Sequence, residues 1–455
     1  MTRTESPPTP FAEAFGSLPH LAEPAWLTQR RREGLAAFEA QGVPTRRDEE
    51  WRYLDLSPLL RIPFRHAART GAPRLDRSVF EAALRSTAGA VADSVLEQLA
   101  RFRLVFVDGV YAPELSTTPE LPAGTAVSNF AAAAAGGSEV VARHLTHHAS
   151  IHEHPFVALN TAFLQDGLYL NVPRGRELRE PIHLVHVHTS RDAGASHPRH
   201  LIVLEEGASA VILEDYIGLG DTPTLTNPVM EIALEPGARL RLHKVIREDA
   251  STYHLGGTFA RLDRDSDLHA FSVVRGGLLV RNDLRAEQVG TGASCTLHGL
   301  NVICGSQVSD DHTTVIHGQP QGSSRQYYKT ILDERAEGVF NGKVIVMEGA
   351  RGTNAQQSNR NLLLSDQALM NTKPQLEIFT DDVKCSHGAT IGQLDPDAIY
   401  YLRSRGIDLE TARTLLTEAF AGDVLGEIEA GPIRELVGSA LTFPLCRRAG
   451  HPIRH

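Results

Sequence analysis

Cys385 and His387 are the two residues whose types and spacing most readily suggest chemistry. They lie two positions apart in the run Lys384-Cys-Ser-His-Gly388. Residues two apart in an extended strand point to the same face. A thiolate and an imidazole that project together suit a soft metal ion or a sulfide-bearing cluster. Two ligands make only half a site, so the others would come from elsewhere in the fold or from another chain. The alternative interpretation is a buried cysteine beside a structural histidine.

Two groups of histidines, among the 21 in the chain, are further candidates for metal binding. The groups are His147, His148, His152 and His154, and then His183, His186 and His188. His186 and His188 share one strand face, which permits ligation. No cysteine stands with them at ligand spacing, so we expect strand histidines that face the surface. A metal-dependent enzyme built on these histidines is the competing hypothesis.

The run from Asp310 to His317 places His312 and His317 near two carboxylates. General acid-base chemistry would need a pocket and perturbed pKa values, which a sequence cannot show. We expect a solvated loop here. The chain contains no Gly-x-Ser-x-Gly elbow, no P-loop and no His-Glu-x-x-His. The sequence therefore predicts a protein that is not an enzyme.

The elements that must position these residues are short β-rich runs, which begin near Leu104. Examples are Leu168-Tyr-Leu-Asn-Val172 and Ile182-His-Leu-Val-His-Val-His188, and several runs alternate at period two. Gly-Ala turns at Gly207, Gly237 and Gly292 each precede a strand, at intervals of 30 and 55 residues. Turns at a near-fixed period predict the stacked rungs of a β-solenoid. A β-sandwich is the alternative.

Helical patterns flank this β-rich region. Gly42 and Pro44 should end a first helix, and 82–100 predicts a second one. Asp395-Pro396 is a helix start, Asp408 can cap a further helix, and a last helix should follow Pro432. We therefore predict three units: an N-terminal tail and helical domain over 1–100, a β-solenoid core over 101–394 and a C-terminal helical domain over 395–455.

Composition narrows the classes of partner. The formal net charge of −10 argues against nucleic acid, whose phosphates need a concentrated basic surface. No apolar run reaches the ~18 residues that a membrane span needs. The N-terminus has no apolar signal-peptide core. The sequence therefore predicts a cytoplasmic protein with no membrane and no nucleic-acid partner.

Four segments carry a resemblance to a known family. Three of them, 356–378, 379–395 and 401–407, are similar to the C-terminal core of the SufB/SufD family of iron-sulfur cluster assembly proteins. The second contains Asp381-Asp-Val-Lys-Cys-Ser-His-Gly-Ala-Thr-Ile-Gly392. The fourth, 42–53, is similar to an N-terminal motif of the SufD branch. SufB chains carry a Glu-His-Glu-Ala-type run where this chain has Cys385-Ser-His-Gly-Ala-Thr390, so the resemblance is to the SufD branch.

The resemblance implies a right-handed parallel β-helix between helical terminal domains. It also implies a non-catalytic scaffold subunit of a complex with SufB and with the ABC-type ATPase SufC, which the C-terminal helical domain would dock. A nascent iron-sulfur cluster, or iron, would be held transiently at the interface with SufB. His387 would be a ligand with Cys385 close by, and ATP would act only through SufC. The isolated chain could form a homodimer through an unpaired β-helix edge.

Two alternatives stay open at this point. The first is a SufB-like role as the principal scaffold. The second belongs to a different class, a β-helix carbohydrate-active enzyme. Such an enzyme would need a carboxylate cluster or a basic catalytic group along one solenoid face, and usually a secretion signal.

Overall fold

A computed structural model describes residues 10–16, 23–66, 75–89, 91–164, 166–189, 193–429 and 431–441. Most of the predicted N-terminal tail therefore lies outside the described residues. Within these ranges, no helix has both the length and the apolar character that crossing a membrane requires.

The described residues contain twenty-two strands. In chain order they are β1 (Arg65–His66), β2 (Arg103–Val107), β3 (Val110–Tyr111), β4 (Ala126–Asn129), β5 (Leu168–Val172), β6 (Ile182–His188), β7 (Gly194–Ser196), β8 (Arg199–Leu204), β9 (Ser209–Gly218), β10 (Thr224–Thr226), β11 (Val229–Leu234), β12 (Arg239–Arg247), β13 (Thr252–Leu262), β14 (Asp267–Val274), β15 (Leu279–Gln288), β16 (Ser294–Ile303), β17 (Val308–His317), β18 (Ser323–Leu332), β19 (Glu337–Val346), β20 (Thr353–Leu363), β21 (Leu369–Ile378) and β22 (Val383–Gly392).

Ten α-helices accompany the strands within the described ranges. They are α1 (Pro10–Gly16), α2 (Ala25–Gln41), α3 (Arg77–Ala88), α4 (Asp93–Ala100), α5 (Phe130–Ala135), α6 (Glu139–His144), α7 (Pro155–Phe163), α8 (Pro396–Ser404), α9 (Leu409–Leu425) and α10 (Pro432–Ala440).

The strands form a parallel β-solenoid, which confirms the predicted mainly β fold with flanking helices. From β11 on, successive strands alternate between two facing sheets, and each pairs in parallel with the strand two places further on. Each coil therefore gives one strand to each sheet. Arg239 pairs with Asp267 and Asp267 pairs with Ser294, so these rungs are offset by 28 and 27 residues. The period read from the Gly-Ala turns matches this offset.

The side chains that point between the two sheets change from apolar to polar along the solenoid. The first sheet contains β11, β13, β15, β17, β19 and β21, and the second contains β6, β9, β12, β14, β16, β18, β20 and β22. One inward ladder in the second sheet is built from register partners on successive coils. Its members, from the N-terminal end, are Ile182, Ile212, Leu242, Ala270, Leu297, Gln326, Gln357 and His387. The first five belong to the main buried apolar core. The ladder then becomes polar, and His387 is its last member.

The helical caps follow the predicted signals closely. Gly42, with φ of 73°, ends α2 and donates its N–H to Phe38 O. Asp395 caps α8, with Pro396 in its first turn, and Asp408 caps α9 by accepting from Thr411 N. The predicted helix over 82–100 is instead two helices, because Gly89 adopts a φ of 66° and ends α3.

Three short helices, α5 to α7, lie inside the range predicted as β-solenoid core. They have six to nine residues each, too short to show a clear amphipathic period. α7 packs against α2, where a Cβ on Gly34 would lie 2.8 Å from Ala162 N. The division of the chain at 100 and 394 stays a prediction.

Helices from before and after the solenoid meet on the outer face of the second sheet. α10 packs against α3 and α4, and Ser439 Oγ donates to Ala88 O at 2.8 Å. α9 is anchored to β18 by Lys329, whose Nζ lies 2.7 Å from Asp423 Oδ2. These helices cover one face of the solenoid, and the last coil extends beyond them.

Candidate functional site at the open end of the solenoid

β21 and β22 form the last coil of the described solenoid. β22 pairs only with β20 and β21 only with β19, so both strands have a free edge among the described residues. Such an edge presents unpaired backbone N–H and C=O groups and is a template for another strand. Large apolar side chains are exposed on this coil, namely Leu369, Ile378, Phe379 and Ile391. Phe379 is 59% exposed. The sequence alone did not single out these apolar residues.

Cys385 and His387 lie on β22, on one face of the strand as predicted. Cys385 is the register partner of Ala355 and packs at the margin of a small apolar cluster. Burial raises the pKa of the Cys385 thiol, and a backbone hydrogen bond involving Ala355 partly opposes this. His387 is exposed. The pair therefore combines a half-buried thiol with an accessible imidazole.

This pair is not a complete metal site within the described part of the chain. The one convergence of three metal-ligating groups found there involves other residues. A cluster bound at Cys385 and His387 would need ligands from a second chain, and the free edge of β22 brings any added strand next to them.

The convergent group consists of His186, His200 and Glu214, whose ligand atoms lie within 4.8 Å of one another. His200 Nδ1 accepts the backbone N–H of Leu168 at 2.9 Å, so the neutral ring carries its proton on Nε2. That Nε2 lies 3.9 Å from Glu214 Oε1. Glu214 also accepts from the hydroxyl of Tyr216. The proton on Nε2 disfavours metal ligation by His200, while His186 Nε2, His200 Nε2 and Glu214 Oε2 are buried without a hydrogen-bond partner among the described residues.

The prediction that the strand histidines face the surface is wrong. His183, His186 and His188 are all buried. Burial lowers the pKa of His183 to about 4, and burial holds the pKa of His186 well below its usual value. His186 stacks on Tyr216 with ring centroids 4.7 Å apart. A sheet that is covered on both faces buries both sets of alternating side chains. The prediction had assumed that one face of the sheet is exposed to solvent.

The histidines of 147–154 line an open groove of about 870 Å³ between α2 and the first sheet. His144 Nδ1 lies 3.1 Å from His148 Nε2 in the same region. Burial lowers the pKa of His144 to about 4 and also lowers that of His148. The groove also holds Arg30, Arg261 and Arg285, with Glu33, Glu153 and Glu287 near them.

The run Asp310–His317 is strand β17, so the predicted solvated loop is wrong. Asp310 faces outward and lies 3.0 Å from Arg281 Nη1. Asp311 faces inward, where Asn301 Nδ2 donates to it at 2.6 Å. Burial raises the pKa of Asp311 to about 6. The two carboxylates lie on opposite faces of the strand and cannot act as an acid-base pair.

The fold and the open last coil define a class: a parallel β-helix with a paired Cys/His edge and helical caps. Comparison with known families agrees with this class. Residues 186–420 match the family described as "SUF system FeS cluster assembly, SufBD core domain", and residues 19–184 match "SufBD protein N-terminal region".

Individual relatives give the same result. The chain is 35% identical over 434 residues to an iron-sulfur cluster assembly SufBD family protein of Synechocystis, covering 93% of this chain and 92% of the relative. It is 31% identical over 408 residues to the iron-sulfur cluster assembly protein SufD of Escherichia coli, covering 89% of each chain. SufD of Bacillus subtilis is 28% identical, over 64% of this chain and 67% of the relative. The chain therefore belongs to the SufB/SufD family and takes part in iron-sulfur cluster assembly.

Proposed function

We propose that this chain is a non-catalytic scaffold subunit of a SufB–SufC–SufD-type complex. The observation that carries the proposal is the last coil, where two free strand edges and exposed apolar side chains surround Cys385 and His387. A free edge supplies a row of backbone hydrogen bonds to a partner strand, and the apolar side chains supply area that would be buried. SufB is the proposed partner at this edge.

The proposed cargo is a nascent iron-sulfur cluster or iron, shared transiently with SufB. His387 supplies an exposed nitrogen ligand from this chain, and Cys385 stands two residues away on the same face. The remaining ligands come from SufB. In this arrangement neither chain holds the cluster alone, which suits a cluster that must later be passed on.

The proposed docking surface for SufC is the C-terminal helical region. None of the residues of α8 is buried, and Tyr400 is 75% exposed. The anchoring of α9 to β18 through Asp423 would couple movement of a docked ATPase to the solenoid. ATP then acts only through SufC, and this chain hydrolyses nothing. A cytoplasmic location follows from that partnership.

A homodimer of the isolated chain would use the same edge. Pairing of two copies through β22 would cover the apolar residues of the last coil in the absence of SufB. A SufB-like principal scaffold role is the second candidate, since the family match spans both branches. The two relatives named SufD favour the SufD role.

Co-purification tests the proposal. The tagged chain, co-expressed with SufB and SufC, should bring down both partners in one complex. The double variant Phe379→Asp/Ile391→Asp should lose SufB, because it puts charge on the proposed interface, and should keep SufC. Recovery of SufB at the wild-type level by this folded variant would contradict pairing through the last coil.

A further inference from the structure

An asparagine side chain joins the last strand of the solenoid to the coil before it. Asn361 lies on β20 and is buried, with 3% of its surface exposed. Its Nδ2 donates to the backbone O of Thr390 on β22 at 3.0 Å. The same Nδ2 donates to Asn359 Oδ1 on β20 at 2.6 Å. The two hydrogens of one NH₂ group therefore reach two acceptors, and one of these acceptors belongs to the strand that carries His387.

The backbone carbonyl of Thr390 sets the direction of these hydrogen bonds. A carbonyl oxygen can only accept, so the atom of Asn361 that faces Thr390 O must be the NH₂ nitrogen. The atom of Asn359 beside that NH₂ group must in turn be the acceptor Oδ1. Asn359 then donates from Nδ2 to the backbone O of Tyr328 at 3.4 Å. Asn361 Oδ1 is buried without a hydrogen-bond partner among the described residues, so this amide acts through its NH₂ group.

Apolar burial does little to hold β22 in register. Residues 386–392 of this strand are all exposed, including Ile391 at 48%. Gly388 and Gly392 add backbone freedom that a strand loses when it pairs. Register is weakly specified in polar or glycine-rich strands, and a slip of one residue turns every side chain to the other face. Such a slip would move His387 from the inner face of β22 to the outer face.

Two attachments lie on either side of His387 along β22. Before it, Cys385 packs at the margin of the apolar cluster that contains Ala355. After it, the Asn361 amide binds the backbone O of Thr390. Among the described residues β22 pairs with β20 alone, so no strand on its other edge helps to fix its register.

We propose that Asn361 is a positioning residue for His387: its NH₂ group donates to Thr390 O and thereby fixes the register of β22 beyond the apolar cluster. A single buried asparagine has a comparable effect in coiled coils, where it specifies the register of the paired helices. The contact acts on His387 through the backbone of β22. This inference rests on the proposed role of His387 as a ligand.

β20 offers a matched control for the test. Asn354 and Gln356 face outward on this strand and are exposed. Asn361→Leu and Asn354→Leu are the same chemical change on opposite faces of one strand. Asn361→Gln keeps an NH₂ donor at the inner position and serves as the conservative variant.

Hydrogen exchange of the full chain, followed by mass spectrometry, measures how firmly β22 is held. In Asn361→Leu the amides of residues 386–392 should exchange at least about 5-fold faster than in the wild type, because a buried hydrogen bond to the strand is lost. Asn354→Leu should match the wild type, and Asn361→Gln should recover slower exchange than Asn361→Leu. The rate at which iodoacetamide alkylates Cys385 should not change, because the apolar cluster still holds that thiol.

Cluster yield on the complex with SufB and SufC connects the position of β22 to function. Only preparations that contain all three proteins are compared. Asn361→Leu should carry less cluster per complex than the wild type, Asn361→Gln should recover part of the loss, and Asn354→Leu should show none.

Wild-type exchange of residues 386–392 in Asn361→Leu would overturn the inference, and so would a wild-type cluster yield in that variant. Faster alkylation of Cys385 would also overturn it, because the whole coil would then have loosened. If Asn361→Leu does not fold, the same measurements are made with Asn361→Ala. The exchange measurement needs neither a cluster nor a partner. If His387→Ala assembles clusters normally, the proposed function fails, while the exchange rates still decide whether Asn361 holds β22.

Discussion

Glu50 Oε2 lies 3.3 Å from His312 Nδ1, which joins the N-terminal segment to β17 of the solenoid. His312 Nε2 lies 2.9 Å from Asp310 Oδ1 on the other side. Nearby, the Arg281 guanidinium stacks over Trp51 at 3.8 Å, and Lys373 on β21 lies 2.5 Å from Glu49. The segment around Glu50 therefore holds the first sheet together from β15 to the last coil.

Because of this junction, the free energy of unfolding should fall at alkaline pH. Burial would lower the pKa of His312, but Asp310 and Glu50 outweigh it and raise the pKa to about 9. His312 therefore keeps its proton in the folded chain at pH values above 6.5, where the unfolded chain has released it. The stabilisation is complete below pH 6.5 and is lost as pH rises through about 9, by roughly 3 kcal/mol.

Chemical denaturation at pH 7 and pH 10 measures this loss. His312→Gln should show a smaller drop between the two pH values than the wild type, because the titrating group is gone. Equal drops in both proteins would show that His312 does not carry the pH dependence.

A buried ion pair ties the loop after α6 to the solenoid. Arg199 Nη2 lies 2.6 Å from Glu231 Oε1, with both side chains fully buried. Glu231 also accepts the backbone N–H of Thr146 and of His148, each at 2.7 Å. Glu231→Ala should cost about 3–5 kcal/mol of unfolding free energy, because it leaves Arg199 buried and uncompensated.

The matched control is Glu206→Ala, which breaks an exposed pair with Arg174. That change should cost less than about 1 kcal/mol. Urea denaturation of both variants decides the point. Similar losses in the two proteins would contradict the assigned role of the buried pair.

The contacts of Asp423 should stabilise α9 and α10 without changing the stability of the solenoid strands. Asp423 Oδ2 accepts from Lys329 Nζ at 2.7 Å and from Tyr327 OH at 2.5 Å. Asp423→Ala removes the carboxylate partner of the buried Lys329, whose Nζ keeps its hydrogen bond to Phe420 O at 2.8 Å. We expect faster amide hydrogen exchange in α9 and α10, and weaker binding of SufC, with unchanged protection in β12 to β16.

Glu410→Ala on the exposed first turn of α9 is the control for that experiment. It should leave the hydrogen exchange of α9 and α10 unaltered. Unchanged exchange of α9 in Asp423→Ala would mean that its other contacts, such as the hydrogen bonds from Lys329 Nζ to Phe420 O and from Arg413 to Leu364 O, hold the helix without Asp423.

The features predicted from sequence are those that local chemistry controls. Caps such as Asp395-Pro396 and Asp408, and turns such as Gly237, act within a few residues, so the printed sequence is enough to find them. The placing of Cys385 and His387 on one face also needs only the period of a strand. These parts of the prediction are confirmed.

The features that the sequence did not predict depend on the register between strands of successive coils and on the burial of both faces of each sheet. Nothing local indicates that His183 is buried or that Asp310 and Asp311 lie in a strand rather than in a solvated loop. The ladder from Ile182 to His387 joins residues about 30 positions apart, and it becomes visible only when seven pairings are known. The coil period was detectable, but the exact offset of each rung was not.

The most direct test of the central claim is cluster assembly on the reconstituted complex with SufB and SufC. Wild type, His387→Ala and the outward-facing control Gln356→Leu are compared by visible absorption and by iron and sulfide content. Each complex is first shown to contain all three proteins. The account predicts that His387→Ala forms the complex but loses most of the cluster, while the control assembles it normally. A full cluster yield on the His387→Ala complex would contradict the account.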